Sequence, residues 1–122
     1  MAAVRILVAD DDHSFAEALS SRLTQAGYET TVVTEGVRVM EAVRRDRPNL
    51  IILDLKMPAG GGAEVLTRLK KDSLTRRIPV IVITGTFPHL QKEILEQGAA
   101  AFFVKPYDPE LLQAKINELL NS

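Results

Sequence analysis

The sequence predicts an α/β protein built on a single parallel sheet, and three observations carry that reading. Strand-length apolar runs alternate with longer stretches of helical periodicity. Three of the runs, Val4 to Ala9, Leu50 to Leu53 and Pro79 to Ile83, are nearly continuously apolar, as strands buried on both faces are. The strand-helix unit repeats five times, with connections short enough for right-handed crossovers. Such alternation gives a doubly wound sheet with helices on both faces. Length agrees: 122 residues, 46% hydrophobic and 25% charged, suffice for one well-buried core and point to one domain over 1–122.

Each element has its own signal. Thr30 to Val33 and Ala101 to Val104 complete the strands. In the first helix Phe15, Ala18, Leu19, Leu23 and Ala26 fall on one face, Ser14 and Glu17 form a capping box, and Gly27 closes the end. Val39, Met40 and Val43 mark a second helix before Pro48, and Val65, Leu66 and Leu69 a third. Leu90, Ile94 and Leu95 mark a fourth that stops at Gly98. The fifth starts with Asp108 as cap and Pro109 in its first position, and turns Leu112, Ile116 and Leu119 inward.

Composition excludes several function classes. With no cysteine there is no thiol nucleophile and no Cys-ligated zinc or iron–sulfur site. Fifteen Lys+Arg against 16 Asp+Glu leave a net charge of −1, which argues against direct nucleic-acid binding by electrostatics. Asp10, Asp11 and Asp12 interrupt the N-terminal apolar run, and no run approaches the ~18 residues of a membrane span. A cytoplasmic domain without membrane contact is the expectation. The chain stops soon after its last apolar position, so no output domain is expected within it.

In open α/β sheets ligands bind beyond the carboxyl ends of the strands. Those ends carry Asp10-Asp11-Asp12, Asp54, Thr84-Gly85-Thr86 and Lys105-Pro106. Two unit charges ~4 Å apart repel by roughly 4 kcal/mol at an effective dielectric of ~20, so Asp10, Asp11 and Asp54 in one pocket call for a cation. Mg²⁺ is a natural answer, being held by one or two carboxylates plus waters and phosphate oxygens. Lys105 would add positive charge and Thr84 a hydroxyl. Together they describe a site that handles phosphoryl groups, with one Asp free to become an acyl phosphate.

Other polar features read as ordinary surface. Asp12 suits the positive end of the first helix. Gly60-Gly61-Gly62 is followed by no Gly-Lys-Ser/Thr and reads as a flexible loop. His13 and His89 are isolated, and Arg44-Arg45-Asp46-Arg47 and Arg76-Arg77 read as solvated helix ends.

Four motifs resemble the receiver domains of two-component response regulators: Ile6-Leu7-Val8-Ala9-Asp10-Asp11, Leu53-Asp54-Leu55-Lys56-Met57-Pro58, Ile83-Thr84-Gly85 and Phe103-Val104-Lys105-Pro106. Their order and spacing match over essentially the whole chain. The resemblance implies a flavodoxin-like (βα)5 sheet in strand order 2-1-3-4-5. It implies Asp54 as phosphoacceptor, with Mg²⁺ bound directly by Asp11 and Asp54, through water by Asp10, and by the backbone carbonyl of Lys56. Lys105 would pair with phosphoryl oxygens, its bond to Pro106 being cis. Thr84 would bond the attached phosphoryl group, Gly85 would leave it accessible, and Phe102 would be the aromatic that turns inward when Thr84 moves.

The implied function is a signalling switch, self-modifying and not a turnover enzyme. Its phosphoryl donor would be a histidine kinase or a phosphotransfer protein. Its output partner would bind the face made by the fourth helix, fifth strand and fifth helix, and it would be a monomer or a phosphorylation-dependent dimer. Lys56 and Thr86 flank the pocket and would tune the lifetime of the acyl phosphate. The sequence departs from the family in Ala59-Gly60-Gly61-Gly62, where only Gly62 keeps the usual pattern and a mobile loop is expected, and in Phe102, where many members have Tyr. The alternatives are an aspartyl-phosphate phosphatase and a flavin- or nucleotide-binding module on the same fold.

Overall fold

The computed structural model describes residues 3–57 and 60–121. Five parallel strands, β1 (Arg5–Ala9), β2 (Glu29–Val33), β3 (Leu50–Leu53), β4 (Val80–Thr84) and β5 (Ala101–Val104), form one sheet in the order β2-β1-β3-β4-β5. Between and after them run α1 (His13–Gln25), α2 (Val37–Asp46), α3 (Gly62–Lys71), α4 (Gln91–Glu96) and α5 (Pro109–Leu120), with a 3-10 turn at Pro88–Leu90 leading into α4. The expected doubly wound sheet and its strand order are what is observed. Among the described residues no helix is long and apolar enough to cross a membrane.

Alternation along the strands builds two cores, because successive side chains point to opposite faces. Ile6, Val8, Leu50, Ile52, Ile81 and Ile83 face α1 and α5, and pack with Leu19, Leu23, Leu112 and Ile116. Leu7, Ala9, Ile51, Leu53, Val80 and Val82 face the other way, against Val39 and Val43 of α2, Leu66 and Leu69 of α3, and Ile94 of α4. Every residue of β3 and β4 is buried. Each fully buried aliphatic side chain contributes roughly 1.5–3 kcal/mol, so the central strands are the most strongly fixed part of the sheet. Their ends carry the site.

Some details differ from expectation. The cap of α1 is Asp12, whose carboxylate accepts from Phe15 N at 3.1 Å; the Ser14–Glu17 box does not form, because the helix has already begun at His13. Ala18 and Ala26 are exposed, and Ala16 takes the buried position beside Leu19 and Leu23. On α4 only Ile94 is buried; Leu95 is 39% exposed, since six residues cannot present a long apolar stripe. Leu119 and Leu90 are half-buried. Gly27, with φ of 100°, follows α1 as expected, and Asp108 and Pro109 open α5 as the sequence predicts.

Pro58 and Ala59, which belong to a motif and to the expected mobile loop, lie outside the described residues. Where the loop enters α3, Gly62 is tied to neighbouring backbone. Gly62 N donates to Leu55 O at 3.0 Å, and a Cβ on Gly62 would stand 2.1 Å from Asp54 O. Glycine is required there by close approach rather than by an unusual φ.

Candidate functional site

The ends of β1, β3, β4 and the segment after β5 converge at one edge of the sheet. Three of the strand-end side chains share a local device. Asp10 Oδ1 accepts from Asp12 N at 2.9 Å, Asp54 Oδ1 from Lys56 N at 3.1 Å, and Thr84 Oγ1 from Thr86 N at 3.2 Å. Each side chain thus folds the backbone two residues beyond it, as Asx and Ser/Thr turns do. Thr84 Oγ1 also accepts from Phe87 N at 3.4 Å.

The second carboxylate oxygens face Lys105. Its Nζ donates to Asp10 Oδ2 at 2.8 Å and to Asp54 Oδ2 at 3.2 Å, joining residues from opposite ends of the chain. Asp10 and Asp54 are buried, and Asp11 stands half-exposed beside them. One carboxylate oxygen of each of the three lies within 4.8 Å of the others. The expected three-acid pocket with its lysine is therefore assembled. Among the described residues no buried side-chain nitrogen or oxygen lacks a hydrogen-bond partner.

Burial pushes the Asp10 carboxyl up from 3.8 to about 6, against the lowering by the Lys105 and Asp12 hydrogen bonds, and neighbouring Asp54 raises it further. For Lys105 burial works against the charge, but the bonds and charges of Asp10 and Asp54 prevail and hold the ammonium above its ordinary value. Lys105 pairs with Asp10 and Asp54 and leaves Asp11 beside them without a bond to it, so the pocket holds three carboxyl groups against one ammonium. Hard oxygen ligands at this separation fit a small divalent cation such as Mg²⁺.

Gly85 lies against the Lys105 stem, where a Cβ would make ordinary contacts of 3.5 and 3.7 Å. Lys56 and Thr86 are exposed. Phe102 is half-buried in β5, paired in register with Val82 and packed on the α2–α3–α4 side. The Lys105–Pro106 bond is cis, as the resemblance implied. His13 and His89 are exposed, as are Arg44, Arg47, Arg76 and Arg77, in keeping with a solvated reading. One contributor escaped the sequence reading: the Phe15 ring lies 4.0 Å from Lys105 Nζ. Its place on the apolar face of α1 gave no sign of that partner.

Fold and pocket together point to a receiver-type signalling module, and comparison with known proteins agrees. The model of the response regulator receiver domain matches residues 6–117, and the chain belongs to that family, a component of two-component systems. It is 37% identical over 117 residues to the DNA-binding response regulator MtrA of Mycolicibacterium paratuberculosis, covering 95% of this chain and 51% of MtrA. Against the response regulator PleD of Caulobacter vibrioides the identity is 38% over 118 residues, covering 94% of this chain and 26% of PleD. The chain thus spans about half or less of the length of these curated relatives. The signal receiver domain of a histidine kinase from Syntrophus aciditrophicus superposes with a TM-score of 0.89 at 34% identity, covering 98% of this chain and 91% of that one.

Proposed function

We propose that Asp54 accepts a phosphoryl group from a phosphohistidine of a partner kinase or phosphotransfer protein. The observation that carries this reading is Lys105, whose ammonium bridges Asp54 and Asp10 inside the three-carboxylate cluster. A carboxylate oxygen of Asp54 attacks phosphorus, the P–N bond breaks, and the imidazole leaves with the electron pair. Lys105 neutralises oxygens of the transferring group. Asp10, Asp11, Asp54 and the Lys56 carbonyl would hold Mg²⁺, which when bound supplies charge neutralisation at the phosphoryl oxygens. Water later attacks phosphorus and returns the carboxylate and inorganic phosphate.

A phosphoryl group brings roughly −2 charge and strong acceptor oxygens. Thr84 can meet them by donating its hydroxyl proton. As the hydroxyl moves toward the group it draws away from Thr86 N and Phe87 N, which frees the entry to the 3-10 turn and α4. Phe102 then turns into the space beside Thr84, and the α4–β5–α5 face that serves the output partner changes. Gly85 keeps the approach to the group open. Lys56 and Thr86, exposed at the rim, tune access of water; an unchanged acyl-phosphate lifetime in Lys56→Ala would refute that role. A phosphatase reading lacks its acid, because the residue two beyond Asp54 is a lysine.

The test is Mg²⁺-dependent labelling by acetyl phosphate. Wild type is expected to take one phosphoryl group per chain and Asp54→Asn none. Labelling that survives the substitution overturns the assignment.

A further inference from the structure

Lys105 is held from three sides, and only two of them are charged. Beside Asp10 and Asp54, the Phe15 ring presents its face to the ammonium, 4.0 Å from ring centroid to Nζ. The ring is itself fixed. Tyr107 meets it edge-on, with centroids 5.8 Å apart and planes at 75°, and Phe103 meets Tyr107 at 6.2 Å and 63°. Three aromatic rings thus form a row from β5 to α1 that ends on the lysine.

We propose that Phe15 is a positioning residue for Lys105: its π face binds the ammonium and keeps the nitrogen in place while its N–H bonds pass from carboxylate to phosphoryl oxygens. The inference rests on Asp54 being the phosphoacceptor. A lysine stem is rich in rotamers, so a charged end that must change partners during the reaction needs an anchor that does not change. A hydrogen bond is a poor anchor, because each is tied to one N–H and one acceptor. Attraction to a ring quadrupole depends on where the charge sits and not on which N–H points where. A third carboxylate in that position would compete with the phosphoryl group for the ammonium. A neutral ring does not, and at 19% exposure of the lysine side chain it acts where water screens little.

The test compares labelling rates with acetyl phosphate. Phe15→Leu, which keeps apolar bulk without a ring face, should slow labelling about three- to tenfold, and Phe15→Tyr should restore most of it. Replacing Phe15 by 4-fluoro-, 3,5-difluoro- and 3,4,5-trifluorophenylalanine keeps the shape while weakening the face in steps, and the rate should fall with each step. Independently of labelling, NMR should show the Lys105 ε-methylene protons shifted upfield by the ring in wild type and not in Phe15→Leu. A flat fluorination series with labelled wild type, or ε-protons without the shift, overturns the role of Phe15 alone. A wild type that takes no label overturns the phosphoacceptor reading, and with it the reason for an anchor.

Discussion

The two helical layers start their helices in different ways. On one face α1 and α5, of 13 and 12 residues, open with Asp12 and Asp108, whose carboxylates accept from Phe15 N and Glu110 N. On the other, α2 and α3 have 10 residues each and α4 six, and none of the three has a side-chain cap. In the first layer each helix start is satisfied by its own chain. In the second no side chain caps a start, and two starts pass close to neighbouring backbone: a Cβ on Gly36 would overlap Gly60 O, and one on Gly62 would overlap Asp54 O. α4 adds a single buried residue, Ile94. Of the three, α4 also belongs to the face proposed to respond, and Thr84 holds the entry to the turn that leads into it.

The sharpest way to break this contrast is Gly62→Ala. A Cβ 2.1 Å from Asp54 O must displace backbone, and overpacking of this kind costs about 1–3 kcal/mol, here at the upper end. Urea unfolding should show that loss, and Asp54 labelling should fall with it. Next comes Asp10, at the junction of β1 and α1. Its carboxyl, raised from 3.8 to about 6 by burial, keeps a proton that the unfolded chain gives up between those values. Metal-free stability should therefore fall as pH rises through that window and level off above it, and Asp10→Asn should abolish the slope. Mg²⁺ affinity has the opposite dependence, weakening as pH falls below about 6.

Smaller effects sharpen the contrast. Asp12→Ala and Asp108→Ala should each cost about 1 kcal/mol, with faster amide exchange confined to the first turns of α1 and α5. Gly61→Ser supplies the missing cap to α3 at an extended φ of −68° and ψ of 155°, where a Cβ meets only Leu55 O at 3.8 Å. A gain of about a few tenths of a kcal/mol in unfolding free energy is expected, since glycine is already a fair cap.

Much of the fold was legible because buried parallel strands leave continuous apolar runs, and β3 matches its run residue for residue. The acids and Lys105 were legible because they stand at strand ends, where topology alone brings them together. Helix α1 was misread for two physical reasons. Alanine weighs little in a periodic pattern, so Ala16 and Ala18 cannot be told apart by hydrophobicity. A run of three aspartates also conceals which one is the cap. The close approach at Gly62 was not legible, because backbone packed on backbone leaves no trace in side-chain chemistry. Phe15 was hidden for a related reason: a ring facing a cation has the same sequence signature as a ring facing a core.

The hydrogen bonds of Asp10 and Asp54 show a division of labour within single side chains. In each, Oδ1 serves as scaffolding for the following turn and Oδ2 meets the ammonium. An asparagine can keep the scaffolding oxygen while turning a donor toward Lys105, whereas alanine forfeits both functions. Asp54→Asn therefore removes the nucleophile and repels the lysine toward Asp10 while leaving the β3 turn intact. Asp54→Ala unlatches that turn as well, and its phenotype would mix lost chemistry with a displaced backbone.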